Sequence, residues 1–382
     1  MTADRLGARD AAASVAAEGT DPDLLARVVA WLLRPRRTVE TLRRTCAEVE
    51  DGEPRERVRA VVSEPSATEA HAAAEVLATW RRLGVSVALV GDPAYPRELA
   101  AGWPLTAGPA LLAWVGVPPV HEVSVGVVGA RRASGYGTGV ASWLAATVAR
   151  AGVRVVSGGA RGVDAAAHRA ALEEPGGTSV VLGCGHAVAY PRVHAAPGGL
   201  FDQILDHGGT LLSEQLPHAT PHAGNVRSRN RIVAGLCRAV VVVEGTARSG
   251  ALVTAGAAAE RGVAVLAVPG DVRAPGSAAP HQLLVEGAAP CRGPRDVLEA
   301  LGGASPRVPA DEGGEVGSAA AAGLPDDIGR VLASSWPRPV RVERLAADTG
   351  RSVPALLGAL TQARVAGLIA ESVEGVRLRR AP

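Results

Sequence analysis

Short valine-rich runs recur along the chain from Val85 to about residue 302, and most of them end at glycine or serine. In chain order they are VSVALV, LLAWVG, VSVGVVG, VRVVSGG, TSVVLGCG, GTLLSE, RAVVVVEG and VAVLAVPG. Many are followed by stretches with helical periodicity, such as YGTGVASWLAATVARAG. Runs that are apolar throughout are typical of strands buried on both faces, and their alternation with helices indicates parallel pairing. The pattern predicts an α/β fold with a Rossmann-like, doubly wound, mostly parallel sheet.

The segments on either side of this core have different patterns. For 382 residues, two or three domains are expected. Residues 1–83 carry apolar side chains at three- and four-residue spacing, which predicts a small helical domain. Residues 84–302 form the Rossmann-like core, and residues 303–323 are rich in proline, glycine, alanine and serine, as linkers are. The sequence pattern of residues 324–382 predicts a helix, a helix–turn–helix and a hairpin, which is the element order of a winged-helix-like domain.

Composition narrows the classes of protein that fit. A hydrophobic content of 47% is sufficient for a sizeable core. The net charge is only +2, so binding to nucleic acid would need a local basic patch. The four cysteines are far apart in the sequence, as expected in a reducing compartment. Because no apolar run is long enough for a membrane span or a signal peptide, we expect a cytoplasmic protein without membrane contact.

The segment GNVRSRNRIVAG combines two unusual features of this composition. All 40 basic residues of the chain are arginine, so an arginine cluster alone is weak evidence for a binding site. The chain contains only two asparagines, however, and both lie in this segment, beside three arginines and no acid. These residues are Asn225, Arg227, Arg229, Asn230 and Arg231. The coincidence marks the segment as a candidate binding loop.

Three strand ends carry the pattern of an anion site. In an open parallel sheet, ligands bind beyond the carboxyl ends of the strands, where backbone N–H groups are exposed. The first strand end is VGVVGARRASGYG, the second is VVSGGARGVDAAAH, and the third is the segment described above, which follows GTLLSE. Glycines allow close approach of a phosphate, backbone amides can form a nest, and guanidinium groups add bidentate contacts. Together these turns predict an anionic phosphate ligand.

Other kinds of site fit the sequence less well. No G-x-G-x-x-G opens a helix and no acid ends the following strand, so we expect no dinucleotide cofactor. His218 and His222 are four residues apart, but the neighbouring prolines argue against a helix there, and we expect no metal site. The sequence contains no G-x-S-x-G nucleophile elbow. Glu214 and Glu244 each end a strand, where they could serve acid–base catalysis or orient a neighbouring arginine or loop amide.

Six segments of the core, in order and spacing, closely resemble the DNA-processing protein A (DprA/Smf) family. They are VGVVGARRASGYG, VVSGGARGVDAAAHRAAL, VVLGCGHAVAYPRVH, LLSEQLPHATPHAGNVRSRNRIVAGL, VVVEGTARSGALVTAGAAAERG and AVPGDVRAPGSAAPHQLLVEGA. The resemblance implies a non-enzymatic, cytoplasmic protein that binds single-stranded DNA, usually as a homodimer. Such a protein protects incoming DNA in natural transformation and helps to load the RecA recombinase. The family's phosphate-binding edge holds DNA and uses no nucleotide cofactor.

The resemblance also assigns roles to individual residues, to which the sequence pattern adds Arg132 and Arg227, as arginines of the turns, and Glu214, as an acid at a strand end. Those expected to bind DNA are Gly129, Arg131, Arg132, Ser157, Gly158, Arg161, Gly162, Asn225, Arg227, Arg229, Asn230, Arg231, Ser249 and Gly250. Those expected to orient the site are Asp164, Glu214, Glu244 and Thr254.

The chain departs from the family pattern inside the third turn, where Val226 and Arg227 replace Phe-Pro. If an aromatic ring there stacks on a base, its loss removes ~1–3 kcal/mol per base. Binding would then depend on phosphate contacts and be unusually sensitive to salt. Ala130 also replaces a serine of the first turn, and His281 stands where many relatives have asparagine.

Two alternative functions remain open at this point. One is a Rossmann-like nucleotide phosphoribohydrolase, although the segment PGGTS precedes a strand rather than a helix. The other is a regulator that binds double-stranded DNA through its C-terminal domain. That domain would use the helix bearing Arg364 and a wing bearing Arg377, Arg379 and Arg380, and its other interpretation is a protein-interaction module.

Overall fold

A nine-stranded, mostly parallel sheet forms the centre of the computed structural model, which describes residues 9–105, 108–119, 123–302, 324–335, 339–365, 368–372 and 375–378. The strands are β1 (Ser86–Leu89), β2 (Leu111–Gly116), β3 (Ser124–Val128), β4 (Arg154–Ser157), β5 (Thr178–Val181), β6 (Thr210–Ser213), β7 (Ala239–Val242), β8 (Ala264–Ala267) and β9 (Ala289–Pro290). Their spatial order is β1-β2-β6-β5-β4-β3-β7-β8-β9. The two pairings that involve β2 are antiparallel, and β3 to β9 pair in parallel.

The burial of the strands explains their sequence pattern. Ala239 and Val241 of β7 contact the apolar cluster on one face of the sheet, whereas Val240 and Val242 contact the cluster on the other. Because successive side chains of a strand point to opposite faces, a strand covered on both sides must be apolar throughout. The predicted doubly wound, mostly parallel sheet is therefore confirmed. The sequence pattern missed β9, a two-residue exposed strand at the sheet edge.

The described part of the chain before the sheet includes helices α1 (Pro22–Leu32), α2 (Val39–Ala47), α3 (Pro54–Val61) and α4 (Ala67–Arg82). Their caps follow the sequence: Asp21 accepts two amide hydrogen bonds at the start of α1, and Ser66 with Glu69 forms a capping box at the start of α4. Apolar side chains of these helices, such as Leu25 and Trp80, belong to one cluster with β1 and β2.

The helices of the core cover both faces of the sheet. They are α5 (Arg97–Ala100), α6 (Gly135–Arg150), α7 (Val163–Ala171), α8 (Arg192–Ala195), α9 (Leu200–Asp206), α10 (Ala223–Ser228), α11 (Asn230–Leu236), α12 (Gly250–Glu260), α13 (Ala278–Val285) and α14 (Pro294–Ala300). Helices α6, α7 and α14 pack on one face, and α11 and α12 pack on the other with the N-terminal helices. No described helix combines the length and apolar character that a membrane span requires.

The strand order places a crevice between β3 and β7, which are neighbours in the sheet. The chain leaves β3 through α6 and continues to β4 on one side. It leaves β7 through α12 and continues to β8 on the opposite side. The loops that follow β3 and β7 therefore diverge. Such a reversal of strand order is where open α/β sheets bind their ligands.

The C-terminal segment contains α15 (Asp326–Ser335), α16 (Val342–Thr349), α17 (Val353–Val365) and the antiparallel pair β10 (Ile369–Ser372) and β11 (Gly375–Leu378). Val340 forms a bridge with Val376 of this hairpin. The apolar residues of the segment form a cluster of their own. This is the element order predicted for a winged-helix-like domain. The predicted linker, Arg379 and Arg380 lie outside the described residues, and the predicted domain boundaries stay predictions.

Candidate functional site

A groove of about 640 Å³ lies at the crevice beyond the carboxyl ends of β3 and β7. We call it the edge groove. Its walls come from loops that follow β3, β4, β5, β6 and β7. The predicted site residues that line it are Gly129, Arg131, Arg132, Gly158, Asp164, Arg227, Arg229, Asn230, Ser249, Gly250 and Thr254. The sheet topology thus brings together turns that are more than one hundred residues apart in sequence.

The first turn, after β3, presents two free cations to the edge groove. Arg131 and Arg132 are exposed, and neither forms an ion pair with another residue of the described segments. The turn is held from behind by Glu244, whose carboxylate accepts from the N–H of Ser134 at 2.9 Å and from its hydroxyl at 2.5 Å. Ser134 in turn caps α6 through the N–H of Gly137. Glu244 therefore orients a loop amide, one of the two roles considered from the sequence.

The second turn, after β4, is closed by internal hydrogen bonds. Asp164 accepts from the N–H groups of Gly158 and Ala160 at 3.1 and 3.3 Å. Ser157 is fully buried, and its hydroxyl donates to the carbonyl of Val127. The expected phosphate nest is therefore occupied by a carboxylate of the protein itself, and Ser157 shapes the turn instead of lining the groove. Arg161 is the exposed cation of this turn.

Two histidines hold the peptide groups of Gly159 in the same turn. The Gly159 N–H donates to Nε2 of His168 at 3.3 Å, and the Gly159 carbonyl accepts from Nδ1 of His194 at 2.9 Å. Thr178 donates its hydroxyl to Val155, so His168 must donate from Nδ1 to Thr178 and keep Nε2 unprotonated. Burial, with the nearby positive charges, lowers the pKa of His168 to about 3. Sequence reasoning gave neither histidine a role.

Arg229 joins the third turn to the second at the floor of the edge groove. Its side chain is almost completely buried. Its Nη1 donates to the carbonyls of Gly158, at 2.5 Å, and Val181, and its Nε donates to Asn230. Burial lowers the pKa of Arg229, although the charge of Asp164 acts in the opposite direction. A Cβ at residue 158 would overlap the guanidinium, which is why this position is glycine.

Arg231 turns away from the edge groove. Its guanidinium donates to the carboxylate of Glu214, and it lies 3.9 Å from the carboxylate of Glu40 in α2. Glu40 also binds Arg43 at 2.7 Å. The other carboxylate oxygen of Glu214 accepts from Ser228. The positive charge of Arg231 is thus matched inside the protein, and Glu214 orients an arginine, the second role considered from the sequence.

The two asparagines have structural partners in the third turn. Asn225 donates from its side chain to the carbonyl of Thr220 at 3.3 Å. Asn230 accepts from Arg229 and donates to the carbonyl of Gly250 at 3.1 Å. Asn230 therefore connects the start of α11 to the start of α12, where Ser249 caps the N–H of Ala251. Each of the two asparagines thus supplies a hydrogen bond that positions the loop.

The edge groove as a whole has an unbalanced charge. Arg131, Arg132 and Arg227 line it and are exposed, and ion pairs involving them are absent from the described part of the chain. Asp164 is the one carboxylate among the described lining residues, and its Oδ2 accepts the two amides named above. The groove is therefore suited to an anionic ligand with several charges.

Some lining residues were not among the predicted DNA-binding or orienting residues, among them Tyr190, His222 and Thr246. His222 caps α10 through the N–H groups of Gly224 and Asn225. Tyr190 is one of only three tyrosines in the chain, and that rarity was the available signal. Conversely, Arg161, Gly162 and Asn225 flank the groove without lining it. Among described residues, no group of histidine, cysteine, aspartate or glutamate could hold a metal ion.

Comparison with known proteins identifies a matching family. Residues 86–302 match the model of the family described as DNA recombination-mediator protein A. The sequence is 38% identical over 263 residues to Protein Smf of Escherichia coli, covering 69% of this chain and 70% of that protein. It is 34% identical over 228 residues to DNA processing protein DprA of Bacillus subtilis, covering 59% and 74%.

Two further comparisons set the extent of the similarity. A putative DNA processing protein DprA of Mycobacterium tuberculosis is 43% identical over 202 residues, and the chain spans about half (51%) of its length. The X-ray structure of DNA processing protein A from Streptococcus pneumoniae superposes with a TM-score of 0.56 at 27% identity, covering 72% of this chain and 96% of that one.

Proposed function

This chain belongs to the DNA recombination-mediator protein A family, and from that premise we propose that its edge groove binds the phosphate backbone of single-stranded DNA. The observation that carries the proposal is the set of exposed arginines, Arg131, Arg132 and Arg227, which line one groove at the reversal of strand order. Their guanidinium groups suit phosphate because each offers a planar pair of donors and a permanent charge. Arg161 extends the basic surface along the second turn.

Single-stranded DNA fits this arrangement better than a duplex does. The cations surround a concave crevice between loops, so a bound backbone must curve into it. Duplex DNA is stiff, with a persistence length of about 150 base pairs, whereas a single strand is flexible. In the groove the strand would meet guanidinium groups on more than one wall. Backbone contacts of this kind carry no sequence information, so binding would be independent of sequence.

The biological role follows from the family and remains part of the proposal. The bound strand would be protected and passed to the RecA recombinase in DNA uptake and recombination, with the protein acting as a homodimer in the cytoplasm. No cofactor is assigned. No catalytic residue is assigned either, because Glu214 is bound to Arg231 and Ser228, and Glu244 is bound to Ser134. Both carboxylates are thus engaged in holding loops.

The test is a comparison of salt dependence. Wild type and the double variant Arg131→Ala/Arg132→Ala are titrated with labelled single- and double-stranded oligonucleotides across a range of salt. Each lost phosphate contact reduces the log–log slope for single strands by about 0.7, so the double variant should lose roughly 1.4. A matched control is Arg150→Ala at the other end of α6, where the arginine pairs with Glu174 away from the groove.

The proposal requires that wild type prefers single strands and that the double variant, unlike Arg150→Ala, changes the slope. Equal slopes for wild type and the double variant would reject the edge groove as the binding site. Tighter binding of the duplex would favour the regulator that acts through its C-terminal domain. Turnover of nucleoside monophosphates in a parallel assay would instead favour the phosphoribohydrolase.

A further inference from the structure

Tyr190 is an aromatic side chain exposed in the edge groove. Among the large exposed hydrophobic residues in the described part of the chain, it is the aromatic one, with 37% of its surface accessible. It lies in the loop that follows β5 and lines the groove together with Arg131, Arg227 and Val226. Aromatic residues make up only 3% of the chain. An exposed ring among free arginines is therefore a distinctive feature of this surface.

The other two tyrosines have clear structural roles. The hydroxyl of Tyr95 donates to the carbonyl of Pro109, and its ring is buried. The hydroxyl of Tyr136 donates to the carbonyl of Pro269. Within the described residues, no comparable hydrogen bond is found for Tyr190. Neither core packing nor a hydrogen bond thus accounts for the ring at this position.

The replacement of an aromatic residue by Val226 indicates a role for the Tyr190 ring. Val226 stands where the family resemblance places an aromatic residue, and its branched side chain offers no flat surface to a base. It packs beside Gly183, where an added Cβ would come within 3.0 Å of it, in the same loop that carries Tyr190. The two residues therefore belong to adjoining walls of one groove. A ring on the Tyr190 wall can reach the same bound strand.

We propose that Tyr190 is the surface on which a nucleobase of the bound strand stacks, in place of a ring at residue 226. The inference rests on the proposed function, because it requires the strand to lie in the edge groove. Arginines hold the phosphates and leave a base free to turn toward the Tyr190 ring. Stacking on an aromatic face suits any base, so the contact adds affinity without sequence preference. Binding then has both an electrostatic and a stacking component.

The experiment compares two strands that differ only in their bases. Wild type, Tyr190→Ala and Tyr190→Phe are titrated with oligodeoxythymidine and with an abasic strand of the same length. Tyr190→Ala should weaken binding to oligodeoxythymidine by about 5- to 150-fold, the range that corresponds to one stacked base. It should leave binding to the abasic strand and the salt slope unchanged. Tyr190→Phe, which keeps the ring, should bind like wild type.

Two further variants complete the design. Val193→Ala changes an exposed apolar residue (52% accessible) nearby that does not line the groove, and it should have no effect. Val226→Phe in the Tyr190→Ala background should restore binding to oligodeoxythymidine. Thermal unfolding of each variant separates loss of stacking from loss of folding.

The outcomes distinguish the inference from the proposed function. If Tyr190→Ala binds both strands like wild type, or weakens both equally, the stacking role is wrong while single-strand binding stands. If wild type binds neither strand, both are wrong.

Discussion

Arg231 and Glu214 form an ion pair at the edge of the sheet, with their side chains only 13% and 2% exposed. Both residues lie in or beside the segment that the sequence predicts to bind phosphate. The pair removes one cation from the candidate interface and ties α11 to the end of β6. Glu40 approaches the same guanidinium from α2. The charge of Arg231 therefore connects the N-terminal helices to the core instead of reaching a ligand.

The first prediction concerns this ion pair. Glu214→Gln should lower the free energy of unfolding by about 3 kcal/mol, because it leaves a buried guanidinium with its charge poorly compensated. Replacing both residues, as in Glu214→Leu/Arg231→Leu, should cost less than the two single changes combined. Urea unfolding of wild type, Glu214→Leu, Arg231→Leu and the double variant measures the coupling free energy. Additive losses would show that the pair is not coupled.

The second prediction separates Arg229 from its exposed neighbour Arg227. Arg229→Ala leaves the carbonyls of Gly158 and Val181 without their donor and should lower the free energy of unfolding by about 2–4 kcal/mol. Arg227→Ala removes an exposed side chain and should change it by less than about 0.5 kcal/mol. In DNA titrations, Arg227→Ala should reduce the salt slope by about 0.7. Equal stability of the two variants would contradict the buried role of Arg229.

The third prediction tests the close contact between Gly158 and Arg229. Gly158→Ala introduces a Cβ into the space of the guanidinium, so we expect a loss of about 1–3 kcal/mol in unfolding free energy, as for overpacking. In the Arg229→Ala background the same substitution should cost much less. The control is Gly135→Ala in α6, where an added Cβ meets nothing within 4 Å. A cost of Gly158→Ala that is independent of Arg229 would indicate another cause, such as the backbone conformation.

The fourth prediction is a loss of stability in mild acid through His168. Its pKa is lowered from 6.5 to about 3 in the folded protein. Between pH 3 and pH 6.5 the unfolded chain therefore binds more protons than the folded protein does. The stabilisation is complete above about pH 6.5 and declines as the pH falls toward 3. From pH 7 to pH 5 the decline due to His168 is about 2 kcal/mol.

His168→Gln supplies the control for this effect. Its free energy of unfolding should be lower than that of wild type at pH 7 and should change less with pH. Urea unfolding at several pH values measures both. His186, with a pKa lowered to about 4, adds a similar contribution that the variant retains. A variant profile parallel to that of wild type would exclude His168 as a source of the acid sensitivity.

Local features of the sequence account for the parts of the site that were predicted. The valine-rich run before Gly129 and the glycines after Ser157 place two turns at strand ends, and the parallel sheet brings those turns to one edge. Arg131 and Arg132 were predicted there and line the edge groove. These inferences succeed because strand periodicity and turn residues depend on a few neighbouring positions. The short strand β9 was missed because two exposed residues carry no such periodicity.

Which arginines are free was decided only by the tertiary structure. The sequence GNVRSRNRIVAG does not distinguish its three arginines. In the structure, however, Arg227 is exposed, Arg229 is buried and Arg231 is ion-paired. Their partners are distant in sequence: Glu214 lies 17 residues from Arg231, and Gly158 lies 71 residues from Arg229. The amides of the second turn likewise bind Asp164 and His168 instead of a ligand. The sequence by itself determined the parallel sheet, the alternation of strands and helices along the chain, and the edge where the site lies, because these follow from local patterns. The tertiary structure decided which charges and amides face solvent, because a buried charge or hydrogen-bonding group needs a partner that only the folded chain brings within reach.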